Sequence, residues 1–262
     1  MDIKDRIVVI TGAAGGIGRA LALACADAGA RAVVCADLDG DGAAATADQV
    51  NAAGAHGVAR AVNVAREEEL RALIDDTEEQ VGPIDLFCSN AGISLPGGPE
   101  VDNDGWQRIW DINVMAHVFA ARHLAPRMIA RGGGYFLNTA SAAGLLSQVG
   151  SAPYAVTKHA AVGLAEWLAL TYGDDGIKVS VLCPQAVRTN MTKGKEDHVA
   201  SVDGMMEPEP VALACLEAIR AETFLVLPHP EVLQYMRNKT DNYDRWIGGM
   251  RKLNRRFNPK AD

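Results

Sequence analysis

The feature that most constrains the fold is a glycine-rich turn between a short apolar run and an Ala/Leu-rich stretch. The run Arg6–Ile10 leads into Thr11-Gly12-Ala13-Ala14-Gly15-Gly16-Ile17-Gly18, and Gly16–Ala28 has a helical pattern. We expect Gly12 to permit a sharp turn, Gly16 to leave room for a pyrophosphate, and Gly18 to let helix and strand pack closely. The helix N-terminus would then attract the phosphates, so the turn predicts a dinucleotide site. A tight turn without a ligand is the alternative.

Strand-like and helix-like segments alternate along most of the chain. The further strand candidates are Ala32–Ala36, Gly57–Val62, Ile84–Cys88, Tyr135–Asn138, Lys178–Leu182 and Phe224–Leu227. The further helix candidates are Gly40–Ala53, Glu67–Gln80, Asp102–Ala130 and Ala155–Tyr172. This order predicts the α/β class, with one doubly wound parallel sheet of Rossmann type and helices on both faces.

Length and composition suit a single dinucleotide-binding catalytic domain over residues 1–262. The chain has 262 residues and a net charge of −8, and it carries no internal repeat or basic stripe. The charge argues against a nucleic-acid partner. No apolar run approaches the roughly 18 residues of a membrane span, so we expect no membrane association, and the polar start Met1–Asp5 predicts that there is no signal peptide.

Cysteine and histidine spacing argues against a metal site. The five cysteines are scattered and odd in number, which favours small buried thiols in a reduced, cytoplasmic protein. The histidines form no cluster with ligand spacing, so we expect structural or surface roles for all of them. They are His56, His117, His123, His159, His198 and His229.

Asp37 is the residue that bears on cofactor choice. It ends the second strand, 19 residues after Gly18, where an acidic side chain would accept hydrogen bonds from an adenosine ribose. Its carboxylate would repel a 2′-phosphate, and neither Leu38 nor Ala14 supplies a cation. NAD is therefore favoured over NADP; a role as a helix cap or turn residue is the alternative for Asp37.

Polar and small residues follow the third and fourth strands at the same sheet edge. Asn63-Val64 follows the third, and we expect Asn63 to hydrogen-bond the adenine amino group. Ser89-Asn90-Ala91-Gly92 follows the fourth, where the small Ala91 and Gly92 would let the cofactor lie flat. Taken alone, either segment is an ordinary strand-ending turn.

Ser141, Tyr154 and Lys158 are the candidate catalytic residues. Tyr154 and Lys158 are four residues apart in a helical segment and so share one face, while Ser141 follows a strand at the ligand edge. Oxidation of an alcohol with NAD needs a base. A free tyrosine has a pKa near 10, so too little of it is ionised at neutral pH to act as that base. We expect Lys158 and the positive nicotinamide to lower that pKa, and Ser141 to hold the substrate oxygen.

Asn113 and two longer segments complete the expectations from the residues. Asn113 lies inside the predicted helix Asp102–Ala130, where its amide would hold a water that relays protons from Lys158.

The polar, Met-bearing stretch 189–209 follows a strand and is either a substrate lid or a plain surface loop with a short helix. The basic, aromatic extension 229–262 predicts an amphipathic helix that packs on the body or on a partner subunit; a membrane-surface helix is the sharper alternative.

These motifs together resemble the short-chain dehydrogenase/reductase family over nearly the whole chain up to about Leu227. Thr11–Gly18 matches its TGxxxGxG turn, Ser89–Gly92 resembles its NNAG motif, and Asn113, Ser141, Tyr154 and Lys158 fall where its catalytic tetrad lies. The resemblance implies hydride transfer on a secondary alcohol or ketone and a homodimer or homotetramer. The cofactor contacts expected are Gly12, Ala14, Gly15, Gly16, Ile17, Asp37, Leu38, Asn63, Val64, Asn90, Ala91, Gly92, Tyr154, Lys158, Pro184, Val187 and Thr189.

The chain departs from the family pattern at three places. Gln185 stands after Pro184 where the family commonly has Gly, Asn63 stands where it often has Asp, and the basic tail replaces the common C-terminal pattern. The expected pocket lining is mostly apolar and predicts a hydrophobic alcohol or ketone as substrate; it comprises Ser94, Leu95, Pro96, Ala143, Gln148, Val149, Gln185, Met191, Met205 and Met206. An NADP-dependent ketoreductase and a non-catalytic cofactor-sensing protein are the alternatives.

Overall fold

A computed structural model describes residues 1–194 and 199–258, and its centre is one parallel sheet of seven strands. The strands are β1 Ile7–Thr11, β2 Ala32–Asp37, β3 His56–Ala61, β4 Leu86–Ser89, β5 Gly134–Thr139, β6 Ile177–Leu182 and β7 Leu225–Val226. The helices are α1 Gly16–Asp27, α2 Gly40–Ala52, α3 Glu67–Gln80, α4 Asn103–Trp110, α5 Ala116–Ala130, α6 Ala143–Leu146, α7 Ala152–Tyr172, α8 Pro208–Ala221, α9 Glu231–Asp241 and α10 Tyr243–Phe257. The predicted fold class is confirmed, and most predicted bounds lie within one or two residues of the observed ones.

The strand order is β3-β2-β1-β4-β5-β6-β7, and every neighbouring pair is parallel. From β1 the chain first winds outward through β2 and β3, then returns to β4 on the other side of β1. Ligands of doubly wound sheets bind at the carboxyl ends of the strands, where the winding direction changes. The segments after β1 and β4 meet at that point.

Two apolar layers bury the sheet. The inner residues of α1, α2 and α8 cover one face, and those of α3, α5 and α7 cover the other. Strand residues alternate between these layers, as Val8 and Ile10 face the first and Val9 faces the second. Because both faces are buried, the central strands are apolar throughout rather than alternating, which explains why they were recognisable as continuous Val/Ile/Ala runs.

The predicted long helix Asp102–Ala130 is wrong in one respect. It is interrupted by a π-helical turn at Asp111–Met115, between α4 and α5. Such a turn inserts one extra residue into a helix and reorients the side chains within it. Asn113 lies in this turn and is completely buried.

The C-terminal extension is two helices rather than one amphipathic helix. Asn242 separates α9 from α10 with an extended backbone, and its side chain caps α10 by accepting a hydrogen bond from the Arg245 N–H at 2.9 Å. Trp246 packs on a small apolar cluster around Leu146 and Val232, so the extension does pack on the body as expected. None of the helices in the described part is long and apolar enough to span a membrane.

The cysteines are buried, as the sequence predicts. All five cysteines are buried free thiols, and burial raises the pKa of Cys25, Cys35 and Cys183 to about 12. Within residues 1–194 and 199–258, no three His, Cys, Asp or Glu side chains group as metal ligands would. His198 lies outside the described residues.

Candidate active site

The glycine turn has the geometry that its residue types predict. Gly12 has a φ of +70° and Gly16 a φ of +52°, both in the left-handed region that glycine adopts without strain. A Cβ on Gly18 would lie 2.0 Å from the Gly12 carbonyl oxygen, and a Cβ on Gly16 would lie 2.7 Å from Cγ2 of Thr189. The turn therefore requires glycine at all three positions, and α1 approaches β1 as closely as a backbone allows.

The N-terminus of α1 is free to bind an anion. Gly15 is its N-cap and provides no side-chain cap, and the first turn carries no acidic residue. Uncapped first-turn N–H groups and the helix dipole together favour a phosphate. The space in front of this cap is open, since a Cβ on Gly15 would meet nothing within 4 Å. These residues fit the pyrophosphate of a dinucleotide.

Asp37 braces the glycine turn. Its Oδ2 accepts a hydrogen bond from the Ala14 N–H at 2.9 Å, and its Oδ1 accepts one from the Asp39 N–H at 3.0 Å. The helix cap that follows is Asp39, whose side chain accepts from the Gly42 N–H, so Asp37 is not the cap of α2. The carboxylate is thus fixed beside the turn at the end of β2, where a ribose would lie in this type of fold.

Asn90 ties three strand ends together. Its Nδ2 donates to the Thr11 carbonyl oxygen at 3.0 Å, and its Oδ1 accepts from the Thr139 hydroxyl at 3.1 Å. The N–H groups of Asn90 and Ala91 both donate to Oγ1 of Thr11. A Cβ on Gly12 would lie 2.9 Å from the Cα of Ala91, so these two segments are in contact. The ends of β1, β4 and β5 are thereby held as one rigid platform.

The stretch 189–209 lies against the glycine turn. A cleft of about 520 Å³ separates them, lined by residues 14–16, 19, 20 and 23 on one side and 188–190, 192, 193, 205, 208 and 209 on the other. The stretch begins with turns up to Gly194 and continues in a short 3₁₀ helix, Val199–Ser201. Residues 195–198 of the expected lid lie outside the described part.

Ser141 and Tyr154 meet at the carboxyl end of β5. Ser141 follows that strand and is buried; its Oγ accepts from the Ala143 N–H at 3.1 Å and donates to the Pro184 carbonyl oxygen at 3.4 Å. Tyr154 lies in the first turn of α7, and its hydroxyl is near enough to that of Ser141 for the serine to favour a lower pKa of Tyr154. Both hydroxyls are therefore available to one substrate oxygen.

Lys158 lies one turn further along α7, behind Tyr154. It is 3% exposed, its Nζ donates to the Thr139 carbonyl oxygen at 3.0 Å, and it lies 5.6 Å from the centre of the Tyr154 ring. Burial lowers the pKa of Lys158 to about 8. Ser141, Tyr154 and Lys158 are thus brought together as the sequence predicts.

Asn113 joins this group through the backbone. Its Oδ1 accepts from the Ile93 N–H and its Nδ2 donates to the Ile93 carbonyl oxygen, both at 2.9 Å, and Nδ2 also donates to the Thr157 hydroxyl at 3.2 Å. A Cβ on Gly92 would lie 3.2 Å from the Asn113 Oδ1 and 3.4 Å from the Lys158 Nζ. The Asn113 side chain therefore fixes the loop after β4 against α7, close to the lysine.

In the chain without a bound nicotinamide, Lys158 does not lower the pKa of Tyr154 below its ordinary value. Burial raises the pKa of Tyr154 above its ordinary value, and the nearby Ser141 hydroxyl opposes the rise only in part. Desolvation disfavours the charged phenolate and therefore raises the pKa of Tyr154. It also disfavours the charged ammonium of Lys158 and therefore lowers the pKa of that residue. The expectation from the sequence included the charge of Lys158 but not the cost of burying the Tyr154 phenolate.

Five further expected cofactor contacts also lie beyond the carboxyl ends of the strands: Asn63, Val64, Leu38, Val187 and Thr189. The Asn63 Oδ1 accepts from the Ala65 N–H at 3.1 Å, which forms a local turn after β3. Val64 is buried, whereas Leu38 is 74% exposed at the end of β2. Val187 is buried beside Met206, and Thr189 contacts Gly16.

Several residues of the site were not singled out from the sequence. Arg19 reaches from α1 to the Ala14 carbonyl oxygen and to Oγ1 of Thr46. Thr11 orders the loop after β4, and Thr139 supplies the carbonyl for Lys158. Their positions beside the glycine turn and at strand ends are the signals that would have identified them.

Comparisons with known proteins identify the family to which the chain is similar. Residues 6–200 match the family model described as short chain dehydrogenase. The 1-deoxy-11-beta-hydroxypentalenate dehydrogenase of Streptomyces exfoliatus is 35% identical over 94% of this chain and 91% of its own. The cyclohexanol dehydrogenase of Acinetobacter sp. strain SE19 is 31% identical over 80% of this chain and 85% of its own.

A solved structure is similar over the entire length. A short chain dehydrogenase/reductase from Burkholderia phymatum, crystallised in complex with NAD, has a TM-score of 0.86 to this chain at 29% sequence identity. The likeness covers 100% of this chain and 99% of that one, so it includes the C-terminal extension as well as the sheet.

Proposed function

The chain belongs to the short-chain dehydrogenase/reductase family, and on that premise we propose that it is an NAD-dependent dehydrogenase that interconverts a hydrophobic secondary alcohol and its ketone. The observation that carries the proposal is the grouping of Ser141 and Tyr154 with Lys158 behind them, at the sheet edge that also holds the glycine turn. This arrangement offers a proton acceptor, an oxygen-binding hydroxyl and a cation within one buried group.

Tyr154 is the proposed general base. In the oxidation, the Tyr154 phenolate takes the proton of the substrate hydroxyl while the hydrogen on carbon leaves as hydride; the nicotinamide cofactor, when bound, accepts that hydride. Ser141 donates a hydrogen bond to the same oxygen and steadies the charge that develops on it. The ketone, the reduced cofactor and one proton on Tyr154 are the products, and reduction is the same step reversed.

Lys158 and Asn113 act behind the base. Because burial raises the pKa of Tyr154 in the chain alone, ionisation at neutral pH needs more positive charge than Lys158 supplies by itself. The oxidised nicotinamide carries such a charge. The Thr139 carbonyl holds Lys158 in place, Asn113 fixes the adjacent loop after β4, and a water beside Asn113 would return the proton to solvent.

Asp37 and the α1 N-terminus support NAD as the cofactor. The uncapped N–H groups suit the pyrophosphate, and the fixed Asp37 carboxylate suits a ribose with a free 2′-hydroxyl. One observation favours the NADP alternative: the Arg19 guanidinium contacts the carbonyl of Ala14, the residue whose N–H Asp37 accepts. Titrations of NADH and NADPH followed by fluorescence separate the two, and tighter binding of NADPH would overturn the Asp37 argument.

A hydrophobic substrate is supported by the relatives and by the lining. Two relatives are named as dehydrogenases of 1-deoxy-11-beta-hydroxypentalenate and of cyclohexanol, and a third as a dehydrogenase of meso-2,3-butanediol. In this chain Ala143 is buried, and Met205 and Met206 are half-buried at the end of the stretch 189–209. We therefore expect cyclic secondary alcohols to be oxidised faster than short open-chain ones.

The decisive experiment replaces the proposed base. Tyr154→Phe removes one hydroxyl and should reduce cyclohexanol oxidation by at least about 10³-fold while NADH binding stays within about twofold. Tyr172→Phe, on the same helix but packed edge-on against Trp167, is the matched control and should keep full activity. If Tyr154→Phe turned over the alcohol at the wild-type rate, the assignment of the base would be refuted.

The assembly and location are part of the same proposal. A homodimer or homotetramer is proposed because α7 carries large exposed apolar side chains, among them Trp167 and Leu170. A reducing compartment such as the cytoplasm suits five buried free thiols.

A further inference from the structure

The C-terminal extension contacts the segment that follows the catalytic serine. Lys239, on α9, is half-buried, and its Nζ donates a hydrogen bond to the Leu145 carbonyl oxygen at 2.6 Å. Leu145 belongs to α6, a helix of four residues that begins two positions after Ser141. The donor and the acceptor are 94 residues apart in sequence, so only the fold brings this cation to the end of α6.

Helix α6 lies between two residues of the candidate active site. At its start, the Ala143 N–H donates to Oγ of Ser141 at 3.1 Å. In its middle, Gly144 has no room for a Cβ, which would overlap the Lys158 carbonyl oxygen, so α6 packs directly on the backbone of α7. A displacement of α6 would therefore move the serine hydroxyl relative to the other catalytic side chains.

The far end of α6 has a backbone that needs support from outside the helix. Ser147, its C-cap, has a φ of +83°, in the region that residues with a side chain rarely adopt. Such a backbone persists only where surrounding contacts fix it. A cationic donor to the last carbonyl groups of a helix is a favourable contact of this kind, and Lys239 supplies one. The ring of Tyr243 lies 5.6 Å from the same Nζ and helps to hold the ammonium there.

Further contacts of the extension reinforce this one. Leu146 packs with Val232 of α9, and Trp246 of α10 lies against the same apolar cluster. Beyond the end of α10, the Asn258 side chain lies beside Gly150, where a Cβ would be 3.1 Å from the amide nitrogen. The extension therefore contacts the chain between β5 and α7 at two points, and Lys239 provides the charged contact nearest to Ser141.

We propose that Lys239 is a positioning residue for Ser141, because by holding α6 it keeps the serine hydroxyl where it can donate to the substrate oxygen. The inference rests on the proposed dehydrogenase function, which gives Ser141 that oxygen to bind. The negative charge that Ser141 stabilises develops in the transition state. A displaced serine should therefore lower kcat and leave KM nearly unchanged.

Removal of the donor tests the proposal. Lys239→Met keeps an unbranched side chain without the ammonium and should lower kcat for cyclohexanol about tenfold, with KM and NADH binding within about twofold of the wild type. Lys239→Arg keeps a donor for the Leu145 carbonyl and should retain kcat within about twofold. Lys252→Met removes an exposed lysine of α10 and is the matched control, for which full activity is expected.

A Ser141→Ala background shows whether Lys239 acts through the serine. In that background Lys239→Met should lower kcat by less than about twofold, since the interaction that Lys239 supports has already been removed. The proposal is overturned if kcat is unchanged in Lys239→Met, if Lys239→Arg is as slow as Lys239→Met, or if Lys239→Met lowers kcat equally in both backgrounds.

Amide exchange measures the hold on α6 without turnover. The N–H groups of Leu145, Leu146 and Ser147 donate to carbonyl oxygens of the preceding turn. Their exchange should quicken about fivefold in Lys239→Met and keep the wild-type rate in Lys252→Met, while exchange in β1 is unchanged in both. Wild-type exchange in Lys239→Met would contradict the proposed hold. A wild type inactive on alcohols would refute the dehydrogenase proposal instead, and the exchange rates would still decide whether Lys239 holds α6.

Discussion

His117 is a buried residue whose ionisation should make stability depend on pH. It lies on α5, 2% exposed, and neither ring nitrogen has a hydrogen-bond partner in the described part of the chain. Burial, with the nearby Lys158 charge, lowers the pKa of His117 from 6.5 to about 3. The folded chain therefore keeps this imidazole neutral at pH values where the unfolded chain protonates it.

Stability should for this reason fall as the pH drops below about 6.5. A group with a depressed folded-state pKa loses about 1.4 kcal/mol per pH unit between its two pKa values, so His117 should cost roughly 2 kcal/mol at pH 5. Urea unfolding at pH 7.5 and pH 5 measures the loss. His117→Phe should unfold with a smaller pH dependence than the wild type, and the exposed His56→Gln should not; equal slopes for His117→Phe and the wild type would contradict this account.

For single residues, the sequence predicted which side chains lie in the candidate site better than it predicted how burial shifts their pKa values. Gly12, Gly16 and Gly18 were identified because only glycine tolerates a left-handed φ or the 2.0 Å approach seen here. Ser141, Tyr154 and Lys158 were identified from residue type and spacing. The upward shift of the Tyr154 pKa in the chain without a cofactor was not predicted, because desolvation depends on how deeply the fold buries a group and residue spacing carries no measure of that.

Helices and strands were predictable where their cause is local, and were missed where the cause is a contact with a distant part of the chain. The strands were predictable because buried parallel strands are continuous apolar runs. The π-helical turn was not, since Asp111–Met115 has no distinctive composition. The turn lies where Oδ1 and Nδ2 of Asn113 form hydrogen bonds with the Ile93 backbone, which is a contact with a distant loop. Where a loop elsewhere in the chain provides the partner, a local pattern cannot show it.

The break between α9 and α10 was also missed, although Asn242 is a favourable N-cap. Asn242→Ala should cost about 1 kcal/mol in α10 because the Arg245 N–H loses its acceptor. No residue of α10 is fully buried, so this helix can open without the rest of the chain. Amide exchange in α10 should therefore quicken about fivefold while exchange in β1 is unchanged. Asn242→Asp keeps the cap and should restore slow exchange; equally fast exchange in both variants would show that the cap does not hold α10.

For the whole molecule, topology explains why the candidate site is one place. Five loops from strand ends distant in sequence, after β1, β2, β4, β5 and β6, converge because all seven strands are parallel and the winding reverses beside β1. The alternation of elements predicted this convergence. It did not predict the contact of the C-terminal extension with the stretch 189–209, because Asp203 and Tyr235 are 32 residues apart and show no periodic relation.

The outer face of α7 bears on assembly. Val156, Trp167 and Leu170 are 47%, 53% and 86% exposed, which leaves an apolar stripe on a helix whose other side is buried. A homo-oligomer that uses this stripe should dissociate when a charge is placed on it, because an unpaired carboxylate is costly to bury. Leu170→Asp should therefore lower the mass measured by light scattering in line with size-exclusion chromatography. Leu213→Asp, 57% exposed on α8 at the opposite sheet face, is the matched control and should keep the wild-type mass. A wild-type monomer would refute the proposed homo-oligomer, and an oligomer that survives Leu170→Asp but not Leu213→Asp would place the subunit contact on α8 instead.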